Sequence, residues 1–242
     1  MRQAIPEGSP AKIKSIPCNI RKEEEVKNLV SSTLAEYGKI DFLINNGGGQ
    51  FACPASAIRT KGWNAVIDTN LTGTFLCCRE VYNAWMEEHG GSIVNIVVDF
   101  WNGFPLMSHT SAARAGVVNL SKTLSIEWAA NGVRINNVAP GTVYSETAAA
   151  NYPDPDLFEK SIPAIPAKRL GKVEEISAAV CFLLSPAAAY ITGDTLKVDG
   201  GSSINNPSML TIPDHNKYPT YDWDEDKDKA NEQEKKMPKS ML

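Results

Sequence analysis

Short apolar segments that end in glycine or proline turns alternate with longer amphipathic segments along most of this chain. In the clearest case, the segment 40–45 runs almost directly into three glycines at positions 47–49. Apolar strands of this kind are buried on both faces, and the intervening segments have the length and pattern of helices. The alternation therefore predicts an α/β fold with a parallel sheet covered by helices on both sides.

The same alternation predicts where the strands and helices lie along the chain. Strands are predicted at 40–45, 92–98, 133–139 and 195–198, with a further candidate at 12–18. Helices are predicted at 21–37, 62–88, 109–130 and 173–185. Gly73 is a potential break in the second of these helices. The composition becomes polar after Gly201, so we expect one domain over 1–201 and a mobile tail over 202–242.

The composition limits the classes of molecule that this chain is expected to bind. The 242 residues carry a net charge of -4, and 43% of them are hydrophobic, which is ordinary for one soluble domain. A mildly acidic chain gives no electrostatic reason to expect nucleic acid as a partner. No apolar run approaches the roughly 18 residues of a membrane-spanning helix. The five cysteines lack metal-ligand spacing, so we expect no metal site and a reducing compartment.

Four short motifs follow one another within this pattern. They are Asn46-Gly47-Gly48-Gly49, Asn70-Leu71-Thr72-Gly73, Ser111-Ala112-Ala113-Arg114-Ala115-Gly116 and Pro140-Gly141. In this order they resemble the short-chain dehydrogenase/reductase family, and the resemblance extends over about residues 13–201. It implies a Rossmann-like, doubly wound parallel sheet in a single domain, a nicotinamide cofactor, and a homo-oligomer assembled through long helices.

The resemblance also implies a set of cofactor contacts at the ends of the strands. They are Asn19, Ile20, Asn46, Gly47, Gly48, Gly49, Pro140, Gly141, Val143 and Thr147. In the family, the first two contact adenine, the glycine turn lies beside the adenosine, and the last four cover the nicotinamide and the pyrophosphate. Glycines in such a turn let a flat ring approach the backbone closely. Each of these residues taken alone is also compatible with a plain strand-ending turn.

The family's catalytic residues are asparagine, serine, tyrosine and lysine, and this chain departs from three of them. Asn70 matches the asparagine, whereas Thr110 stands at the tyrosine position and Arg114 at the lysine position. The serine position falls on Val97 or Val98. Arginine can hold a ribose hydroxyl but does not deprotonate, and a threonine hydroxyl is far less acidic than a phenol. These residues therefore argue against ordinary carbonyl or alcohol chemistry.

The departures resemble the peroxisomal trans-2-enoyl-CoA reductases, as do the motifs Gly103-Phe104-Pro105-Leu106 and Lys168-Arg169-Leu170-Gly171. Related dienoyl-CoA reductases also lack the tyrosine. The resemblance implies NADPH-dependent reduction of a trans-2-enoyl-CoA to a saturated acyl-CoA in fatty-acid chain elongation. Because this reaction passes through a thioester enolate, the protein chiefly needs a hydrogen-bond donor at that oxygen. Thr110 is the candidate donor, and Asn70 and Arg114 complete the predicted catalytic set.

The last three residues, Ser240-Met241-Leu242, are a conservative variant of Ser-Lys-Leu, the C-terminal address for peroxisomal import. They predict the peroxisomal import receptor as a partner and the peroxisome as the location. A cytoplasmic location is the alternative.

The family's first strand, glycine-rich phosphate turn, first helix and second strand would precede Lys12, and no such pattern is visible there. We expect this strand-helix-strand unit to be missing. Its loss would remove a helix N-terminus that binds pyrophosphate and would leave apolar edges on the strands 40–45 and 92–98. The chain is then expected to be largely inactive. The alternative function is that of a non-catalytic relative acting only as an oligomer subunit.

Overall fold

Four parallel strands form the sheet of this computed structural model, which describes residues 11–149, 154, 156–206 and 208–221. The strands are β1 (Phe42–Asn45), β2 (Gly91–Ile96), β3 (Val133–Pro140) and β4 (Thr195–Val198). They are hydrogen-bonded in the order β1-β2-β3-β4. All four lie at their predicted positions, which confirms the parallel α/β sheet.

Helices connect the strands. They are α1 (Glu23–Tyr37), α2 (Thr60–Ile67), α3 (Gly73–Val81), α4 (Glu87–His89), α5 (Ser108–Glu127), α6 (Glu146–Ala149), α7 (Leu157–Ser161) and α8 (Val173–Leu184). Two π-helical turns, Asp68–Thr72 and Tyr82–Met86, join α2, α3 and α4 into one continuous helical segment. The predicted long helix is therefore present, and Gly73 continues it.

Helices cover both faces of the sheet because the central strands are apolar on both. On one face, Ile93 and Ile135 pack with side chains from α1, α3 and α5. On the opposite face, Val94 and Val138 pack against α8. All four side chains are fully buried. This arrangement is the predicted doubly wound architecture, and it places the carboxyl ends of all four strands at one edge.

A row of polar side chains crosses the sheet near these carboxyl ends. Asn45, Asn95, Asn137 and Thr195 are register partners on successive strands. Asn45 Nδ2 donates to Asn95 Oδ1 at 2.8 Å, and Asn95 Nδ2 donates to Ser121 Oγ at 2.9 Å. Ser121 Oγ then donates to Asn137 Oδ1 at 2.7 Å. We call this set the amide row. It fixes the register because a slip of one residue would leave its buried groups unpaired.

Strand β1 is the outer strand of the sheet in the described part of the chain. It pairs with β2 on one side, and no described residue forms a ladder on its other side. Phe42 and Ile44 are 54% and 48% exposed. The predicted apolar edge at 40–45 is therefore present. The second predicted edge, at 92–98, is wrong, because β2 pairs with both β1 and β3.

The candidate strand at 12–18 is also wrong. This segment forms no ladder with any strand of the described ranges. It is held beside α1 instead, where Lys14 Nζ lies 2.7 Å from Glu36 Oε2 and the Tyr37 hydroxyl donates to the Lys12 carbonyl at 3.5 Å. Alternation of apolar and polar residues does not form a strand unless the backbone also finds a partner.

The segment after the last strand packs on the domain as far as the structure describes it. Arg169 Nη2 donates to the Pro219 carbonyl at 2.6 Å, and Lys172 Nζ donates to the Tyr221 carbonyl at 3.1 Å. Arg169 also donates to both carboxylate oxygens of Glu175. These hydrogen bonds hold the pKa of Glu175 below its ordinary value, so the pair weakens only as the pH falls through that lowered pKa.

Replacing Arg169 with alanine is expected to release the segment 208–221, because one guanidinium anchors both Pro219 and Glu175. Trypsin should then cut after Lys217 several-fold faster at neutral pH. The control is Lys160→Ala, which removes an exposed ion pair with Asp154 and should leave that cleavage rate unchanged. Equal rates in the two variants would contradict the anchoring role.

The rest of the predicted tail, including Ser240-Met241-Leu242, lies outside the described residues. Among the helices that the structure describes, none is both long enough and apolar enough to cross a lipid bilayer.

Candidate active site

The predicted site residues converge at the carboxyl edge of the sheet. The glycine turn, 46–49, follows β1, and the segment 97–107 follows β2 and leads into α5. The first two turns of α5 carry Thr110 and Arg114, and the π-helical turn before α3 carries Asn70. Loops from parallel strands meet at this edge, which is why α/β proteins bind ligands there.

Asn70 joins the glycine turn to α5. Its Oδ1 accepts a hydrogen bond from the Gly49 N–H at 2.9 Å. Its Nδ2 donates to the Gly49 carbonyl at 3.0 Å and to Thr110 Oγ1 at 3.1 Å. The side chain is fully buried and its amide is fully engaged. The wider π-helical turn sets this orientation, and such turns are frequent at functional sites.

Thr110 and its neighbour His109 are both fully buried in the first turn of α5. Because Thr110 Oγ1 accepts from Asn70, its own proton is free to donate elsewhere. The Thr110 backbone N–H donates to His109 Nδ1 at 2.8 Å. The other ring nitrogen, His109 Nε2, has no hydrogen-bond partner among the described residues. His109 is not among the predicted site residues, and its one signal in the sequence is its place directly before the predicted donor.

Arg114 places a positive charge against the inner side of the glycine turn. Its Nη1 donates to the Ile96 carbonyl at 2.7 Å. Burial lowers the pKa of Arg114 to about 10, so the group still carries its charge at neutral pH. No described carboxylate forms an ion pair with it. A Cβ on Gly48 would meet Arg114 Nη2, so a side chain at this position would have to displace the guanidinium.

Of the two predicted adenine contacts, Ile20 reaches the glycine turn. A Cβ on Gly47 would lie 3.3 Å from Ile20 Cδ1, and one on Gly73 would lie 2.8 Å from Ile20 Cγ1. The side chain of Asn19 is held locally, since its Oδ1 accepts from both the backbone N–H and the Nε of Arg21. Asn46 and the three glycines after it are exposed, so the outer surface of the turn is open to a ligand.

The remaining predicted cofactor residues surround the end of β3. Gly141 N–H donates to the Val198 carbonyl at 3.0 Å, and Val143 forms an isolated parallel bridge with Gly171. Gly141 also lines a cavity of about 200 Å³. Thr147 lies in α6, and a cofactor contact by its side chain stays a prediction.

A second cavity, of about 420 Å³, opens between Phe51 and the start of α2. It is lined by Phe51, Ala57, Arg59, Lys61, Gly62 and Ala65. Phe51 also contacts His109, with ring centroids 4.4 Å apart and ring planes at 84°. The cavity therefore has an apolar wall next to the buried histidine and two cationic side chains among its lining residues.

The chemistry available to this cluster is hydrogen-bond donation and positive charge. At the serine position, Val97 is buried with Val117 and Ala139, so no hydroxyl is present there. Thr110, His109 and Arg114 all offer N–H or O–H groups, whereas no tyrosine or lysine of the described ranges is hydrogen-bonded to Asn70. Such a set can stabilise a developing oxyanion more readily than it can transfer a proton.

A doubly wound parallel sheet with an open glycine turn at its carboxyl edge defines a Rossmann-like α/β protein. A family model described as "Enoyl-(Acyl carrier protein) reductase" matches residues 2–203. The chain belongs to the short-chain dehydrogenase/reductase family, as the order of its motifs predicts.

Two curated relatives are named as 2,4-dienoyl-CoA reductases. One is a probable 2,4-dienoyl-CoA reductase of Bacillus subtilis, 35% identical over 191 residues, which cover 77% of this chain and 75% of the relative. The other is the peroxisomal 2,4-dienoyl-CoA reductase of Danio rerio, 35% identical over 193 residues, which cover 77% of this chain and 63% of the relative. The chain thus spans only part of the length of these relatives.

Solved structures of dehydrogenases show the same fold. A citronellol catabolism dehydrogenase of Pseudomonas aeruginosa is 45% identical with a TM-score of 0.67, over 77% of this chain and 72% of that one. A short-chain dehydrogenase of Bacillus anthracis is 35% identical with a TM-score of 0.74, over 83% of this chain and 79% of that one.

Proposed function

We propose that this chain, although its sequence predicts low activity, reduces a trans-2-enoyl-CoA to the saturated acyl-CoA with NADPH. One observation carries the proposal: Asn70, Thr110 and Arg114 meet under the glycine turn and offer donors without a phenol or an ammonium group. This set suits a reaction that forms a thioester enolate, because the enolate oxygen needs stabilisation rather than immediate protonation. The relatives named as 2,4-dienoyl-CoA reductases support an acyl-CoA as the substrate.

The residues around the glycine turn fit a nicotinamide dinucleotide. The turn has no side chains at positions 47–49 and is exposed on its outer side, so a flat ring can approach the backbone. Arg114 lies on the inner side, against Gly48, with a charge that no described carboxylate neutralises. Its guanidinium is suited to ribose hydroxyls and to the anionic charge of the cofactor. NADPH, when bound, supplies the hydride.

Thr110 and Asn70 have distinct roles in this reaction. As the β-carbon of the substrate gains a hydride, negative charge develops on the thioester oxygen. The Thr110 hydroxyl donates a hydrogen bond to that oxygen, and Asn70 Nδ2 fixes the orientation of the hydroxyl by occupying one of its lone pairs. The α-carbon then takes a proton from water. No acidic side chain is needed, which is consistent with valine at the serine position.

A second candidate function is that of a non-catalytic subunit in an oligomer. The burial of the cluster favours it, because Asn70 and Thr110 are fully covered and Gly49 occupies both polar atoms of the Asn70 amide. Turnover by the purified chain distinguishes the two candidates.

The proposal extends to location and partners. Ser240-Met241-Leu242 would bind the peroxisomal import receptor, and the peroxisomal name of the Danio rerio relative supports this location. A homo-oligomer is proposed from membership of the family.

Replacing Thr110 with valine tests the catalytic assignment. Valine has nearly the same shape but no hydroxyl, so kcat for NADPH oxidation with a trans-2-enoyl-CoA is expected to fall about 100-fold. KM should change little, and Thr110→Ser should retain most of the activity. The control is Thr123→Val, which removes an exposed hydroxyl that bonds only to the Asn119 carbonyl of its own helix.

Two outcomes would contradict these assignments separately. If the unaltered chain consumed no NADPH with any enoyl-CoA, the reductase function would be wrong. If it turned over and Thr110→Val did so at the same rate, only the role of Thr110 would be wrong.

A further inference from the structure

His109 is a buried histidine whose Nε2 has no hydrogen-bond acceptor among the residues that the structure describes. Its Nδ1 accepts a hydrogen bond from the Thr110 N–H at 2.8 Å, so that nitrogen carries no proton. A neutral imidazole then has its proton on Nε2. The ring is fully buried, and Nε2 has no hydrogen-bond partner in the described part of the chain. Buried N–H groups are rarely left unpaired, because the lost hydrogen bond to water is not replaced.

Phe51 connects this ring to the larger cavity. It packs edge-to-face with His109 at 4.4 Å and also lines the cavity of about 420 Å³. Its side chain is 40% exposed, and its ring lies against Gly62, where a Cβ would meet Phe51 Cζ at 2.9 Å. A ligand that entered the cavity and moved this ring would therefore reach His109.

The cavity lining indicates the class of ligand. Phe51, Ala57 and Ala65 supply an apolar surface. Arg59 and Lys61 are exposed and form no ion pair with any described carboxylate. An apolar lining with two unpaired cations suits an acyl chain carried on a phosphorylated group.

We infer that His109 is a second oxyanion donor in the proposed reaction, with Nε2–H donating to the thioester oxygen of an enoyl-CoA bound in this cavity. The inference rests on the proposed function. His109 and Thr110 are adjacent in the first turn of α5, and together they would give the oxygen two donors. When the hydride adds to the β-carbon, the π electrons of the carbon-carbon double bond form the enolate, and its oxygen stays hydrogen-bonded to His109. The imidazole only donates a hydrogen bond and transfers no proton, since water supplies the proton at the α-carbon.

Two substitutions separate this role from a structural one. Asparagine can accept from the Thr110 N–H as His109 Nδ1 does, but it does not reach the Nε2 position. Glutamine places an amide N–H near the Nε2 position and gives up the local hydrogen bond. A donor role predicts that His109→Asn lowers kcat about 100-fold with little change in KM for NADPH, whereas His109→Gln stays within about tenfold of the unaltered protein. A purely structural role predicts the reverse order, together with a lower Tm for His109→Gln.

The carbonyl stretch of a bound enoyl-CoA, read by infrared spectroscopy with a carbonyl-labelled thioester, gives a readout apart from turnover. We expect the stretch to move to lower frequency in the unaltered chain and to move less in His109→Asn. Equal frequencies and equal kcat in the two proteins would overturn the inference and leave the proposed function standing. If the unaltered chain neither bound nor reduced the thioester, both the inference and the proposed function would be wrong.

Discussion

Replacing Arg114 with methionine is expected to weaken NADPH binding about 10- to 100-fold and to leave the protein at least as stable. The guanidinium is the one charged group under the glycine turn that the structure describes, and its pKa is already lowered by burial to about 10. Hydrogen bonds from a charged group contribute about 1.5–3 kcal/mol each, which corresponds to that range of affinity. Methionine keeps the packing of the long side chain. It loses the hydrogen bond to the Ile96 carbonyl, and this loss is offset by removal of a buried charge that no described carboxylate compensates.

Arg134 provides a matched control for this prediction. It also donates to backbone carbonyls, those of Ile191 at 3.2 Å and Leu183 at 2.9 Å, but it lies at the start of β3, away from the glycine turn. Arg134→Met should lower Tm and leave NADPH affinity unchanged. Affinity is measured by titration of nicotinamide fluorescence, and Tm by thermal unfolding. If Arg114→Met had a lower Tm and an unchanged affinity for NADPH, Arg114 would stabilise the fold and would not bind the cofactor.

Replacing Asn95 with leucine is expected to lower the free energy of unfolding by about 3 kcal/mol. Asn95 lies at the centre of the amide row and is 2% exposed. Leucine has a similar volume, but Asn45 Nδ2 would lose its acceptor at 2.8 Å and Ser121 Oγ would lose its donor at 2.9 Å. The buried Asn45 amide and Ser121 hydroxyl would then each lack one hydrogen-bond partner. Both groups lie where the sheet packs on α3 and α5.

Urea unfolding measures this effect. Asn64→Ala, on the exposed face of α2, is the control and should change the free energy of unfolding by less than about 0.5 kcal/mol. A loss below about 1 kcal/mol in Asn95→Leu would show that the amide row contributes little net stability, as is found for some buried polar networks.

The order of apolar and glycine-rich segments predicted the sheet and its main helices, and the family resemblance predicted the grouping of Asn70, Thr110 and Arg114. These residues sit on elements that a parallel sheet brings to one edge, so their proximity follows from the topology. The strand order was harder to predict. The edge expected at 92–98 and the strand expected at 12–18 both depend on which segments pair with each other in the sheet. The local alternation of residues does not determine this pairing.

The details of the site lay beyond sequence reasoning for a different reason. The role of His109 depends on one hydrogen bond from the next residue in the chain and on a ring contact with Phe51, more than fifty positions away in the sequence. The π-helical turn that orients Asn70 has no residue pattern of its own, since the segment reads as ordinary helix. Such features are set by packing and become visible only in the assembled structure.

The open side of β1 has a practical consequence for anyone who purifies this chain. On the side of β1 where no described residue forms a ladder, the Phe42 ring and the Ile44 methyl groups are also exposed, so one contact between two molecules would cover the backbone edge and the apolar side chains together. Precipitation should therefore begin there, and it should accelerate with protein concentration and with warming. The substitution Ile44→Lys would make the sample easier to handle without changing the residues of the proposed site.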